Sequence, residues 1–139
     1  NMGGGADGLN KTITEVQYVI NPPLIKKFQA KKKQLMAKHK CKENGLNIIL
    51  AWHGTAAANV QNIVTNNFSL AKLGAHTGNK GAYGAGIYFS EFAKVSGAYG
   101  DGLMLCKVIL GKQYQMTTAQ AQVGRSLEPG YDSHVVVSG

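Results

Sequence analysis

An apolar run, Ile48-Ile49-Leu50-Ala51-Trp52, stops abruptly at His53-Gly54-Thr55. A second dense stretch follows: Gly81-Ala82-Tyr83-Gly84-Ala85-Gly86-Ile87-Tyr88-Phe89, and after it Ser96 and Tyr99. Leu46 to Trp52 is apolar except for Asn47, which predicts a short buried strand. A strand that ends in His-Gly, with a Gly- and Tyr-rich strand to pair with, predicts a pocket wall rather than ordinary core.

Thr12 to Ile20 partly alternates, with Ile13, Val16, Tyr18 and Ile20 apolar or aromatic, and predicts a strand. Asn21-Pro22-Pro23 stops it; Asn21 can cap a helix and Pro22 suits a first turn. Leu24, Ile25, Phe28, Leu35 and Met36 then recur at helical spacing, which predicts a helix over about 23–39. Thr55 is a good N-cap, and Ala57, Val60, Ile63 and Val64 give one apolar helix face that ends at Asn66-Asn67. Phe68 to Leu70 reads as a brief strand. Ala71 to Ala85 is a long Gly-rich loop, a feature that in a compact domain usually means function or disorder. Short strands are expected at Gly86–Phe89, Gln113–Met116 and Tyr131–Val137, and a central strand at Leu103–Leu110. Ser90 can cap a short helix that runs to about Tyr99, and Thr117 to Gly130 is loop-like. Short strands mixed with a few helices argue for an α+β fold.

The chain has 139 residues and a formal net charge of +8, enough for one domain with its own core. Lys26, Lys27, Lys31, Lys32, Lys33, Lys38, Lys40 and Lys42 hold much of the positive charge. Such a cluster is either the solvated face of a helix or a surface for an anionic partner, nucleic acid or an acidic protein face. Cys41 and Cys106 form no CxxC and no Cys/His spacing for a metal, and His39, His53, His76 and His134 show no ligand spacing either, so no metal is expected. No run reaches a membrane span. Residues 1–11 read as a flexible lead or cloning remnant, and 12–139 as the folded domain.

His53 is the leading titratable group. Its neutral ring both donates and accepts, although a His after a strand is more often structural. Gly54 beside it has no Cβ, so its backbone can approach a flat ligand closely, and an amide would match its N–H and C=O. Tyr88 and Tyr99 have faces that can sandwich a flat, cationic ring; core packing is the plain alternative for each. Ser96 shares a helix face with Tyr99. Gly84-Ala85-Gly86 is weak as a phosphate loop, and no GK[ST] is present.

The ordered set Trp52-His53-Gly54-Thr55, Tyr83-Gly84-Ala85-Gly86-Ile87-Tyr88-Phe89, Ser96-Gly97-Ala98-Tyr99 and Leu103 to Gly111 resembles the catalytic domain of the poly(ADP-ribose) polymerase family, the diphtheria-toxin-like ADP-ribosyltransferases. Asn21-Pro22-Pro23-Leu24, Phe28 and Lys31-Lys32-Lys33 resemble the helical lead-in of the mono-ADP-ribosylating members, and Tyr131-Asp132-Ser133 the segment before the family's last strands. The resemblance implies two packed, mainly antiparallel sheets with short helices. It implies transfer of ADP-ribose from NAD to a protein side chain with release of nicotinamide, one unit at a time, inside the cell in the cytoplasm or nucleus. By the same resemblance His53 hydrogen-bonds the 2′-hydroxyl of the nicotinamide ribose, and Gly54 clamps the carboxamide with help from Ser96. Tyr99 stacks on the ring and Tyr88 forms the other wall, which makes His53 and Tyr88 the catalytic pair. Thr55 and Tyr83 complete the NAD-binding set, Tyr83 at the end of a loop, from about Leu70, that borders the donor site. His76 and Asn79 lie in that loop without an assigned role.

The chain departs from the family's pattern at its end. The third catalytic position, a Glu in the polymerases and often an apolar residue in mono-transferases, is expected on a strand beyond Gly139, with the family's final strands. Glu128 and Asp132 are the nearest acids, and neither fits the motif. The expectation is therefore a domain whose last strands lie outside this chain. Poly(ADP-ribose) synthesis and an inactive relative that binds NAD or ADP-ribose are the alternatives, and the lysine-rich Lys26–Lys42 region is the one cue for a nucleic-acid-directed transferase.

Overall fold

A computed structural model of the chain describes residues 11–72, 81 and 83–137. The described elements are α1 (Pro22–His39), β1 (Ile48–Thr55), α2 (Ala57–Asn66), α3 (Ala93–Gly97), β2 (Gly102–Ile109), β3 (Gln113–Thr117) and β4 (Ser133–Val137), with short 3-10 turns at Glu43–Leu46, Leu70–Lys72 and Thr118–Gln120. Helices and strands mix along the chain, the α+β class expected of it. The chain divides into two compact units: residues 1–30, 49–67 and 88–108, and residues 31–48, 68–87 and 109–139.

α1 starts where the sequence calls for it. Pro22 opens the helix, and the Asn21 Oδ1 accepts a 3.4 Å hydrogen bond from the Leu24 N–H, while its Nδ2 donates to Val64 O at 2.9 Å. Asn21 thus caps one helix and holds the end of another. Lys26, Lys27, Lys31, Lys33, Lys40 and Lys42 are exposed, whereas Lys32 pairs with Glu43 and Lys38 with Asp132.

In the first unit β1 pairs with β2. A Cβ on Gly102, at the start of β2, would lie 2.9 Å from the carbonyl oxygen of Thr55, at the end of β1, so the two strands run antiparallel. Ala51 is 1% exposed on β1. The Trp52 N–H and C=O both bond to Ser90, at 2.7 and 2.9 Å, so Ser90 is bridged to the strand instead of capping a helix.

In the second unit β3 and β4 are parallel, in the register Gln113↔Ser133 to Thr117↔Val137. Parallel strands need a long crossover, which residues 118–132 supply. The core here is Leu35, Leu46 and Met116. Asp132 ties the unit together. Its Oδ1 accepts from Lys38 Nζ at 3.0 Å, and its Oδ2 accepts from the Lys112 N–H at 2.8 Å and pairs with His39 Nε2 at 2.6 Å. Gly111 has φ +60°, and a Cβ there would lie 2.4 Å from Asp132 Oδ2. Only glycine lets the carboxylate come that close to the chain.

Several expectations need correction. Residues 12–20 form no strand and are exposed, with Tyr18 at 97%: alternation defines a face, but a strand also needs a neighbour to bond. Phe68 to Leu70 forms no strand, and a 3-10 turn begins at Leu70. Gly86–Phe89 is irregular. Thr55 belongs to β1, and Ala56 is the α2 N-cap with no side-chain bond. α3 ends at Gly97, short of Tyr99. Among the described strands, β2 has one partner where a central strand has two.

Candidate active site

β1 delivers Trp52, His53, Gly54 and Thr55 in sequence, and α3 approaches it so closely that backbone meets backbone. A Cβ on Gly54 would stand 1.7 Å from the carbonyl oxygen of Ser96. No side chain fits there, so Gly54 is required by packing before any ligand is considered. Ser96, 3% exposed, donates its hydroxyl hydrogen to Trp52 O at 2.8 Å. That bond satisfies a buried polar group and orients the hydroxyl lone pairs.

His53 Nδ1 lies 2.7 Å from the carbonyl oxygen of Tyr88. A carbonyl only accepts, so Nδ1 carries the hydrogen and, in the neutral ring, Nε2 carries the lone pair. Burial pushes the His53 pKa below its ordinary 6.5, against the smaller raising effect of the bond to Tyr88. The ring is therefore neutral at neutral pH and presents an acceptor at Nε2. Phe89 lies beside it, with ring centroids 5.4 Å apart at 52°.

The structure brings His53 against the Tyr88 carbonyl and Gly54 against the Ser96 backbone. Tyr99 joins through its backbone, whose N–H bonds Ser96 O at 3.1 Å, and its side chain is 56% exposed. Thr55 Oγ1 accepts a 3.1 Å bond from Asn59 Nδ2, a local role on α2. Tyr83 belongs to the second unit. There the Ala85 N–H bonds Arg125 O at 2.8 Å, and a Cβ on Gly84, at φ +122°, would come within 2.9 Å of that same oxygen. The Gly-rich run is thus strapped to the 121–131 loop. His76 and Asn79, and most of the Leu70–Tyr83 loop, lie outside the described residues.

The two acids nearest the end of the chain both hold cations. Glu128 Oε2 accepts from Arg125 at 2.6 Å. Asp132 is drawn down to a pKa of about 2: burial acts to raise it, but the Lys112 N–H, Lys38 and His39 together outweigh that cost. Burial pushes the Cys106 thiol up to about 11, which keeps it protonated and unreactive. Among the described residues, no group of three or more His, Cys, Asp or Glu could hold a metal ion.

Three contributors escaped the sequence reading. Trp52 acts through its carbonyl, which leaves no trace in side-chain pattern. Phe89 acts as the neighbour of the His53 ring, and its place one residue after Tyr88 was the available signal. Lys11, grouped with the lead, bonds Gly97 O, Gly100 O and Asp101 around the end of α3.

The family model for the poly(ADP-ribose) polymerase catalytic domain matches residues 2–138. No curated protein matches the chain. With that family match spanning nearly all of its length, the chain belongs to the poly(ADP-ribose) polymerase catalytic-domain family, NAD-dependent ADP-ribosyltransferases.

Proposed function

We propose that this chain is a mono-ADP-ribosyltransferase that binds the nicotinamide of NAD and modifies a protein side chain. In this reading the carboxamide is clamped by the Gly54 backbone and by Ser96, the ring lies between Tyr99 and Tyr88, and His53 Nε2 accepts the 2′-hydroxyl of the adjoining ribose. Thr55 borders the donor. The observation that carries it is the neutral His53, with Nδ1 committed to Tyr88 O. A half-buried neutral acceptor suits a neutral sugar hydroxyl, and a protonated ring would not.

The chemistry asks little else of the protein. The glycosidic bond between C1′ and the nicotinamide nitrogen breaks, and the ring leaves with the bonding pair, which discharges its pyridinium. The sugar passes through an oxocarbenium-like state. The acceptor nucleophile bonds to C1′ and gives up its proton. Orientation of the donor and stabilisation of developing charge are the main contributions.

Single-unit transfer is favoured by the lead-in Asn21-Pro22-Pro23 with its lysines and by Tyr131-Asp132-Ser133. That Asp132 and Glu128 are engaged by cations supports neither as a substitute for the Glu of the polymerases. The test is incubation of the intact protein with labelled NAD. Label on protein, lost roughly 10²-fold in His53→Ala with an unchanged thermal midpoint, is expected for loss of a positioned polar contact. NAD binding with no label on any protein would instead make the chain a binding relative, and ladders of growing product would refute single-unit transfer.

A further inference from the structure

We propose that Lys11 is a positioning residue for the nicotinamide site, acting by holding the turn that presents Tyr99. The inference rests on the site reading above and deepens it. A helix leaves its last carbonyls without intrahelical donors, and a cation there is favourable. α3 ends at Gly97, and Lys11 Nζ reaches Gly97 O at 2.6 Å, Gly100 O at 3.1 Å and Asp101 Oδ1 at 2.9 Å. One ammonium group therefore spans both ends of the Gly97–Asp101 turn, far away in sequence.

The opposite side of the turn is fixed by sterics. A Cβ on Gly100 would lie 2.3 Å from the Thr55 carbonyl oxygen, and one on Gly102 would lie 2.6 Å from Val60 Cγ2. The turn is pressed against the end of β1 and secured by Lys11. Tyr99, midway along it, has its N–H on Ser96 O and its side chain exposed. A ring that is to form one wall of a binding site gains from being ordered before the ligand arrives, since the ordering cost is then not charged to binding. The carbonyl contacts matter more than the ion pair, because the Asp101 side chain is 84% exposed and an exposed pair contributes little.

The experiment compares Lys11→Met, Lys11→Arg and Asp101→Asn in the intact protein. Initial rates with NAD give KM and kcat, product inhibition gives the Ki of nicotinamide, and thermal midpoints report folding. A wall that acts alike in ground and transition states changes KM and leaves kcat alone. Lys11→Met is expected to raise KM and Ki together, roughly fivefold, with kcat within about twofold, for a binding loss of about 1 kcal/mol. Lys11→Arg, which keeps several donors on a cation, is expected to restore both. Asp101→Asn is expected to leave them within about twofold. Unchanged constants in Lys11→Met, a loss confined to kcat, or failure of Lys11→Arg to rescue would overturn the proposal while leaving the site reading intact. Absence of nicotinamide inhibition in the wild type would overturn the site reading, and the role of Lys11 with it.

Discussion

Asp132→Asn separates charge from shape at the point where the second unit is tied together. The substitution keeps the volume and one acceptor oxygen, but it removes the negative charge that faces Lys38 and His39. The wild-type carboxyl falls from 3.8 to about 2 in the folded chain, a shift of just under two units, and each unit is worth about 1.4 kcal/mol, so the charge contributes about 2 kcal/mol. The side chain is 12% exposed, so solvent screening removes little of this. The sign follows from linkage. The folded pKa is depressed, so the stabilisation is present above about pH 4 and is lost as pH falls toward 2. Urea titrations of both proteins at pH 7, 5, 3 and 2 should show the variant about 2 kcal/mol weaker at pH 7 and 5, with the gap closing by pH 2. Other carboxylates affect both proteins alike and cancel in the difference. A gap that is constant across this range would refute the argument, because it would assign the loss to packing instead of charge.

Three further outcomes are expected. Gly54→Ala should destabilise the fold by more than about 3 kcal/mol, an overpacking effect against the Ser96 backbone, and denaturation should show it whether or not NAD is present. Activity should be flat above pH 7 and fall as pH drops below about 6.5, where protonation of His53 turns its Nε2 from acceptor to donor; since the folded pKa is lowered, the midpoint in a pH–rate profile lies below 6.5. Replacing Lys26, Lys27, Lys31 and Lys33 together by Gln should change stability by less than about 0.5 kcal/mol per site if they form only a solvated helix face, measured by urea titration at fixed salt.

The sequence exposed its local features more readily than its long-range ones. α1 was legible because Asn21-Pro22 and a lysine-backed apolar stripe lie within one segment. β2 and β4 were legible from the apolar stretch Leu103–Leu110 and the β-branched Val135-Val136-Val137, and β3 only as a continuation of the strand past Gly111. The His53-Gly54 pair was legible as a site, but the reason for Gly54 was not: its missing Cβ makes room for the Ser96 carbonyl, which lies on another element. Thr55 looked like a cap because the end of a strand depends on its partner, and the approach of Gly102 to Thr55 is invisible in composition. Residues 12–20 show the converse failure, a strand pattern without a strand. Asp132 was legible only as a member of Tyr131-Asp132-Ser133, and Lys11 not at all; the ties that each makes join segments that only folding brings together.

The parallel pairing of β3 with β4 has a consequence for how the chain reaches its folded state. Such a pair cannot zip from a hairpin turn; residues 118–132 must first close as a loop, an entropic cost met before any ladder bond repays it. The Asp132 N–H donates to Lys112 O at 2.8 Å and the Asp132 carboxylate receives the Lys112 N–H, immediately ahead of the first register pair, Gln113 with Ser133. These bonds close the loop and choose the alignment at once. A slip of one residue would reverse the faces and turn Met116, 2% exposed, out of the core. Asp132 is in this sense a register pin, and weakening it should populate misaligned chains during refolding as well as lower the stability of aligned ones.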